Sequence, residues 1–425
     1  MKSKINWTAF SKKEPEERIA MLSEKMLLSS ANQDYLKKQA LLPLDVANQM
    51  TENVIGRLAL PFSLVPNVNI NGDYYQVPFV TEEPSVVAAA SYASKIIDKS
   101  GGFKTKLQNR QMIGQVALYH CDDLVKSKMA IKEAEKLLLD IANQAYPSIV
   151  KRGGGAKSLW TEEKDEFLIV YLSVDTQEAM GANMLNTMLE AISSELEKIA
   201  HADSLMAILS NYATESLVTA TCEVRLNYLS RNKEEAKILA KKIELASKLA
   251  QVDIYRATTH NKGILNGIDA IVLTTGNDWR AIESACHAFA CKDGQYRGLS
   301  QWQFNTKTQK LEGQLTLPMP IATKGGSIGL NPSVQIAHDC LGNPKAKELA
   351  QIIVAMGLAQ NFAALKALTN QGIQAGHMKL QAKSLALLAG AQHAELPLLM
   401  KQLIKSKPMN LETAKSLLES IRNEN

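Results

Sequence analysis

The feature that most constrains this chain is a change of apolar period in its second quarter. From about Lys106 to Glu215 a strand pattern (QMIGQVALYH), a helical one (MAIKEAEKLLLDIANQA), a second strand (EFLIVYLSVD) and a second helix (NMLNTMLEAISSELEKI) follow one another, with a further strand, LVTATCEVRL, after them. Side chains alternate with period two in strands and 3.6 in helices, so this order calls for a sheet with helices laid upon it. Parallel and antiparallel pairing both satisfy the pattern.

The flanking segments read differently. PEERIAMLSEKMLL and LDVANQMTENVIG space their apolar residues at three and four, which predicts a helical packing arm. LALPFSLVPNVNINGDYYQVPFV alternates about Asn71-Gly72, a dipeptide suited to a two-residue hairpin turn. Glu82, Glu83 and Pro84 then open an Ala-rich helix, with Pro84 expected at its first position, where only an unpaired N–H is missing. After the insertion the chain reads as helix (KEEAKILAKKIELASKLA), buried strand (IDAIVLTT), helix (DWRAIESACHAFA), a hairpin from Gln301 to Leu317 and a long helix (AKELAQIIVAMGLAQNFAALKAL). The expected class is α+β. Residues 1–106 and 216–371 form a large, mainly helical α/β domain, residues 107–215 a smaller inserted one, and residues 372–425 a helical tail.

Composition narrows the class of partner. Forty-eight Lys and Arg against forty-three Asp and Glu leave +5 over 425 residues, without a basic block, so nucleic acid is not the expected ligand. Five cysteines with no CxxC spacing fit a reducing cytoplasm and point to no metal site. The start, MKSKINWTAFSKKEPEER, is charged where a signal peptide is apolar, so a soluble, unprocessed protein is expected, with no membrane partner.

Candidate chemistry lies in a few clusters. GxGxxG, GxxxxGK[ST] and HExxH are missing. Glu283, Cys286 and His287 crowd one helical face without completing a metal ligand set. Gly325-Gly326-Ser327-Ile328-Gly329 spells the GxSxG of serine hydrolases, with His338 downstream. Its context is wrong, because PMPIATK precedes it and Asn331-Pro332 follows, where a nucleophile elbow needs a strand before and a helix after. The segment from Ala257 to Ala281 places Lys262 in a loop, then a strand, then Asp278 at a helix start. Asp278 is either a simple N-cap or a carboxylate that converges on Lys262 and controls its charge. Thr81 to Ala90 sets two carboxylates before a face of small residues that a ligand can approach closely. Glu178 to Asn183 opens a helix whose N–H groups suit a pyrophosphate. Gly372 to His377 sets a glycine-flanked histidine at the tail junction.

Taken in order, EEPSVVAAASY, QEAMGANMLNTM, YRATTHNKGILNGIDA, TGNDWRA, GLAQN and QAGHM strongly resemble the 3-hydroxy-3-methylglutaryl-coenzyme A reductases of the soluble bacterial class. The likeness covers almost the whole chain. It implies reduction of hydroxymethylglutaryl-CoA to mevalonate and CoA with two reduced nicotinamide cofactors and no metal. It implies a homodimer or higher even oligomer with active sites at the subunit interface, a ferredoxin-like (non-Rossmann) dinucleotide domain and a mobile C-terminal flap. Glu83, Lys262, Asp278 and His377 are then catalytic, Ser85, Arg256, Asn266 and Gln360 hold the acyl part, and Glu178, Met180, Gly181 and Asn183 the cofactor. Lys262 meets the oxyanion, Asp278 keeps it charged and helps Glu83 hold a proton, and His377 protonates the CoA thiolate. One departure is Glu178, where the family usually has Asp. Between Ala142 and Lys157 no carboxylate is present, while Lys151 and Arg152 suit a 2′-phosphate, so NADPH is expected over NADH. The rival expectations are a serine-type acyl-CoA thioester hydrolase using Ser327 and a non-catalytic acyl-CoA binding protein.

Overall fold

The computed structural model describes residues 2–326, 328–370 and 373–423, without the side chains of residues 373–377, 379 and 380. Three short helices lead the chain, α1 (Pro15–Glu24), α2 (Ser30–Lys37) and α3 (Leu44–Met50). Beyond them residues 54–61 run without helix or strand, and Ile55 and Leu58 stand 103% and 89% exposed.

β1 (Phe62–Ile70) and β2 (Asp73–Val80) form the expected hairpin, with Ile70 opposite Asp73. Asn71 and Gly72 both take positive φ, 53° and 92°, the combination that matches a two-residue turn to the right-handed twist of its strands. The next helix, α4 (Val86–Lys99), begins later than its sequence suggests. Pro84 lies in the preceding turn, and Ser85, at φ 74°, is the cap residue. The chain therefore kinks through a left-handed residue just before the helix, which holds Glu83 outside its first turn.

β3 (Phe103–Leu107) takes the chain to the edge of the insertion. Within it follow β4 (Met112–Tyr119), α5 (Leu124–Glu133), α6 (Glu135–Ala145), α7 (Pro147–Val150), β5 (Gly155–Lys164), β6 (Phe167–Asp175), α8 (Ala182–Ala200) and β7 (Asp203–Ser210). The chain returns as β8 (Leu217–Arg225), antiparallel to β3 with Leu107 opposite Val218, so the insertion hangs from two neighbouring strands. Its sheet runs β5-β6-β4-β7, all antiparallel, the order of a split βαβ unit. The sequence pattern does not show β5 and β7. Both are edge strands, where one row of backbone groups is unpaired and charge or irregular exposure blurs the alternation; β5 ends in Thr161-Glu162-Glu163-Lys164.

The remaining elements complete the large domain: α9 (Lys233–Val252), α10 (Ile254–Thr274), α11 (Trp279–Ala290), β9 (Ser300–Asn305), β10 (Lys310–Pro318), α12 (Pro332–Leu341) and α13 (Ala346–Thr369). Its sheet runs β2-β1-β3-β8-β10-β9, and α13 lies in the core with Leu349, Ile353, Met356 and Phe362 fully buried. α13 is the one helix among the described residues long and apolar enough to cross a bilayer, yet 72% of its apolar window is buried inside the protein. The tail, α14 (Ile373–Leu388), α15 (Leu396–Leu403) and α16 (Leu411–Asn423), closes on its own small core of Leu399, Leu403, Leu418 and Ile421.

One expectation is overturned outright. IDAIVLTT forms the last third of the 21-residue α10 and its C-cap, and Lys262 sits on that helix instead of in a loop. Asp253 caps it, its Oδ2 accepting from the Arg256 N–H at 2.7 Å. A short run of apolar residues fits a buried strand and a helix buried all round equally well, and Ile264, Ile268, Ile271 and Val272 are all enclosed. Gly263 and Gly267, which suggested a loop, lie within the helix; at Gly267 a Cβ would stand 3.0 Å from both the Gln360 Cβ and the Met356 carbonyl oxygen of α13.

Candidate active site

Glu83 and Lys262 meet. Val80 ends β2, the Glu83 N–H bonds the Thr81 hydroxyl at 3.2 Å, and the carboxylate turns toward α10, where Lys262 Nζ lies 2.5 Å from Glu83 Oε2. Both side chains are about half exposed, so the pair lies at a surface a substrate can reach.

The same helix carries Arg256 and Asn266. Burial pulls the Arg256 guanidinium below its usual range, and among the described residues no side chain or carbonyl bonds to it. Gln360, on α13 behind Gly267, is only 6% exposed, and its Oε1 has no hydrogen-bond partner among the described residues. A buried acceptor left unpaired is costly, on the order of 1–3 kcal/mol, unless a ligand satisfies it. Ser85 is exposed at the cap of α4, beside Glu83 in sequence.

Beneath this face lies a polar joint that sequence reasoning did not single out. His260 Nε2 bonds Ser300 Oγ at 2.7 Å, and the Ser300 hydroxyl and Trp302 Nε1–H both donate to Asn361 Oδ1 at 2.7 Å. Burial, with the charge of Arg256, brings His260 down to about 3, so it is neutral and ties α10, α13 and β9 together. Its signal was present in the THNKG and AQN segments, but nothing in spacing says that they meet.

Asp278 does not join Lys262 within the chain. Its Oδ1 accepts from the N–H groups of Arg280 and Ala281 at 3.0 and 3.2 Å, and its Oδ2 pairs with Arg280 at 3.1 Å. The neighbouring Asn277 N–H bonds the Val272 carbonyl, ten residues or roughly 15 Å of helix rise beyond Lys262, and helical side chains lean toward the N-terminus, away from that end. The expected convergence, and the help from Asp278 in holding a proton on Glu83, are therefore not made inside one chain. Glu283, Cys286 and His287 do not gather either. Glu283 hydrogen-bonds Asp269 of α10, Cys286 is fully buried, and His287 Nδ1 bonds Tyr296 at 2.8 Å.

In the insertion, Gly181 caps the 19-residue α8 at φ 89° with no side-chain cap, and a Cβ there would stand 2.4 Å from Thr176 Cγ2. The free N–H groups of a long helix, opened by a residue that only glycine fits, suit a phosphate group. Met180 is half-buried beside it and Asn183 is exposed on the first turn. Arg152, exposed, bonds the Ser148 carbonyl and hydroxyl at 3.0 and 3.2 Å. Glu178 Oε2 accepts from the Thr323 hydroxyl at 2.6 Å and from the Ala346 N–H at 2.8 Å. His377 falls on α14 with its side chain outside the described ones, and Ser327 lies outside the described residues. β10 ends at Pro318 and no described residue from there to α12 is in a strand, so no strand leads into a nucleophile elbow.

A helical α+β domain with a lysine–carboxylate centre, carrying an antiparallel insertion with a glycine-opened helix in place of a Rossmann turn, is a narrow class of enzyme. A sequence model of the hydroxymethylglutaryl-coenzyme A reductase family matches residues 14–382. The 3-hydroxy-3-methylglutaryl-coenzyme A reductase of Archaeoglobus fulgidus is 38% identical over 417 residues, 97% of this chain and 94% of the relative. A structure of the Streptococcus pneumoniae reductase is 60% identical, with TM-score 0.86 over 98% of this chain and 100% of that one. A second from that organism, described as a class II reductase bound to NADPH in open conformations, is 59% identical, with TM-score 0.85 over 86% of this chain and 100% of that one. The chain belongs to the hydroxymethylglutaryl-coenzyme A reductase family.

Proposed function

We propose that this chain reduces hydroxymethylglutaryl-CoA to mevalonate and free CoA, consuming two NADPH. The observation that carries the reading is the Lys262–Glu83 contact, a cation and a carboxylate from separate elements at an exposed face, with Arg256 and Asn266 on the same helix. Arg256, whose guanidinium has no partner among the described residues, takes the substrate carboxylate as a bidentate pair. Ser85, Asn266 and Gln360 hold the rest of the acyl group. CoA follows the cleft of about 1250 Å³ between the N-terminal arm and α4, where Ala88 and Ser91 allow close approach and Lys4, Arg18, Lys95 and Lys99 meet the phosphates. Met180, Gly181, Asn183 and Arg152 hold the cofactor, with Lys151 and Arg152 favouring the 2′-phosphate of NADPH. No metal is assigned a part.

The bound nicotinamide supplies a hydride in each of two rounds. Lys262 Nζ holds the carbonyl oxygen, so the negative charge that arrives meets a preorganised ammonium and the transition state gains more than the ground state. The first round gives a hemithioacetal; its C–S bond breaks, leaving an aldehyde and the CoA thiolate, which His377 protonates at a pH where histidine can both give and regain a proton. In the second, the aldehyde oxygen takes its proton from Glu83, giving the alcohol.

Asp278 reaches this centre from a second copy of the chain. The exposed apolar side chains of Ile55, Leu58 and, at 84%, Tyr255 support a homodimeric interface, and a carboxylate brought beside Glu83 favours its protonated form. The assignment to the cytoplasm rests on five cysteines without a disulfide.

Following NADPH absorbance with hydroxymethylglutaryl-CoA tests the reading. Lys262→Ala is expected to bind NADPH normally and to lose roughly a hundred- to thousandfold in rate, the usual cost of one oxyanion partner. CoA release without NADPH consumption would mark a hydrolase instead.

A further inference from the structure

Glu178 stands in the loop that the proposed function assigns to the cofactor, but its carboxylate faces the protein. Besides the two bonds to its Oε2, its main-chain carbonyl accepts from the Thr323 N–H at 2.9 Å. Burial pushes this carboxyl up, yet the bonds from Thr323 and Ala346 and the charges of Arg110 and Lys345 hold it below its usual range. Its Oε2 is an ionised oxygen held by two protein donors.

A second residue binds the same two segments. Arg110, 5% exposed, donates from Nη1 to Thr176 Oγ1 at 3.0 Å and from Nη2 to the Ala179 carbonyl at 3.1 Å, and also reaches the Ile321 carbonyl. Between Ile321 and Thr323, Ala322 is clasped by Asn277: the Ala322 N–H donates to Asn277 Oδ1 at 2.8 Å, and Asn277 Nδ2 donates to the Ala322 carbonyl at 3.0 Å. Asn277 adjoins Asp278. The strap of residues 321–323 thus joins three parts: the turn that opens α8, the start of α11 and, through Glu178, the first N–H of α13, the helix bearing Gln360.

We propose that Glu178 is a positioning residue and not a nucleotide contact, and that with Thr323 and Arg110 it forms a latch holding the α8 turn in register with the acyl-binding helices. The inference rests on the reductase reading and deepens it. Hydride transfer needs donor and acceptor carbons within about 3–3.5 Å, and a misplacement of about 1 Å costs on the order of a hundredfold. A latch between the two binding domains therefore acts on turnover while leaving each ligand's own contacts in place.

Glu178→Gln, Thr323→Val and the double variant test this, with thermal melting to establish that each is folded. The expected result is a fall in kcat of about tenfold in each single variant. The dissociation constant for NADPH, measured by fluorescence titration, is expected to stay within about twofold, and the double variant to be no worse than about twofold below the poorer single one, because both changes break the same bond. Amide exchange at residues 178–180 should accelerate in Thr323→Val, a readout that needs no turnover. Weakening of NADPH binding by tenfold or more in Glu178→Gln, with Thr323→Val unaffected, would make Glu178 a nucleotide contact and overturn the latch. Unchanged kcat and unchanged exchange in both singles would overturn it too. A wild-type protein that consumes no NADPH would instead refute the reductase reading, while the exchange measurement still decides the latch.

Discussion

At the scale of single residues, burial separates the titratable groups open to a ligand from those enclosed in the fold. Lys262 and Glu83 stay at the surface, whereas Asp269 is pushed up to about 8 by burial and by the Glu283 carboxyl to which it hydrogen-bonds. Two carboxyls in contact keep a proton that either alone would lose. Between about pH 4 and pH 8 the folded chain retains the Asp269 proton and the unfolded chain does not, so this residue's contribution to stability is present below that window and is lost as the pH rises through it. Asp269→Asn keeps a donor toward Glu283 without a titrating proton. Urea denaturation at pH 5 and pH 8.5 should show the variant gaining on the wild type as the pH rises; a difference that does not move with pH would place the proton elsewhere.

At the scale of elements, the face proposed to hold the acyl group depends on how closely α10, α13 and the β9–β10 hairpin approach. Gly313 on β10 leaves room for the Trp302 ring, and a Cβ there would lie 2.5 Å from it. The ring cannot turn away without breaking its bond to Asn361, and with it the joint through Ser300 to His260. Gly313→Ala is accordingly expected to cost about 1–3 kcal/mol, the usual price of overpacking a core. A lowered melting temperature with a reduced kcat checks this; an unchanged melting temperature would mean that the sheet yields there.

At the scale of the whole molecule, the proposed roles of Lys262 and Asp278, which lie apart within one chain, would make the number of chains part of the chemistry. Lys262→Ala and Asp278→Asn should each be nearly inactive as pure proteins. If the two residues serve one site from different copies, a mixed dimer carries one site with both changes and one with neither. Refolding the variants together in equal amounts then restores about a quarter of wild-type activity, since half of the dimers are mixed and each has one intact site of two. Lack of recovery in a sample shown to contain mixed dimers would place both residues in one subunit's site. Ile55→Asp with Leu58→Asp should shift the protein toward monomer in sedimentation and lower activity in proportion, because two charges replace exposed apolar side chains.

Much was decided by the sequence alone, because some signals are local. Asn71-Gly72 demands a hairpin whatever surrounds it, Asp278 caps the helix beginning at Trp279, and the helical spacing of α9 and α13 suffices to locate them. The ordered motifs carry the family likeness without any geometry. Contacts between distant segments were not legible, since spacing along a chain carries no information about what packs against it. That IDAIVLTT is helical follows from its enclosure on every side, which erases the periodic signal. That Lys262 pairs with Glu83 and not with Asp278 follows from the helical rise of α10, which carries the lysine and the aspartate apart. That Glu178 faces Thr323 and the start of α13 was settled only when the fold brought residues 178, 323 and 346 together: a carboxylate in a loop bonds the nearest unpaired donors, and tertiary structure alone determines which those are.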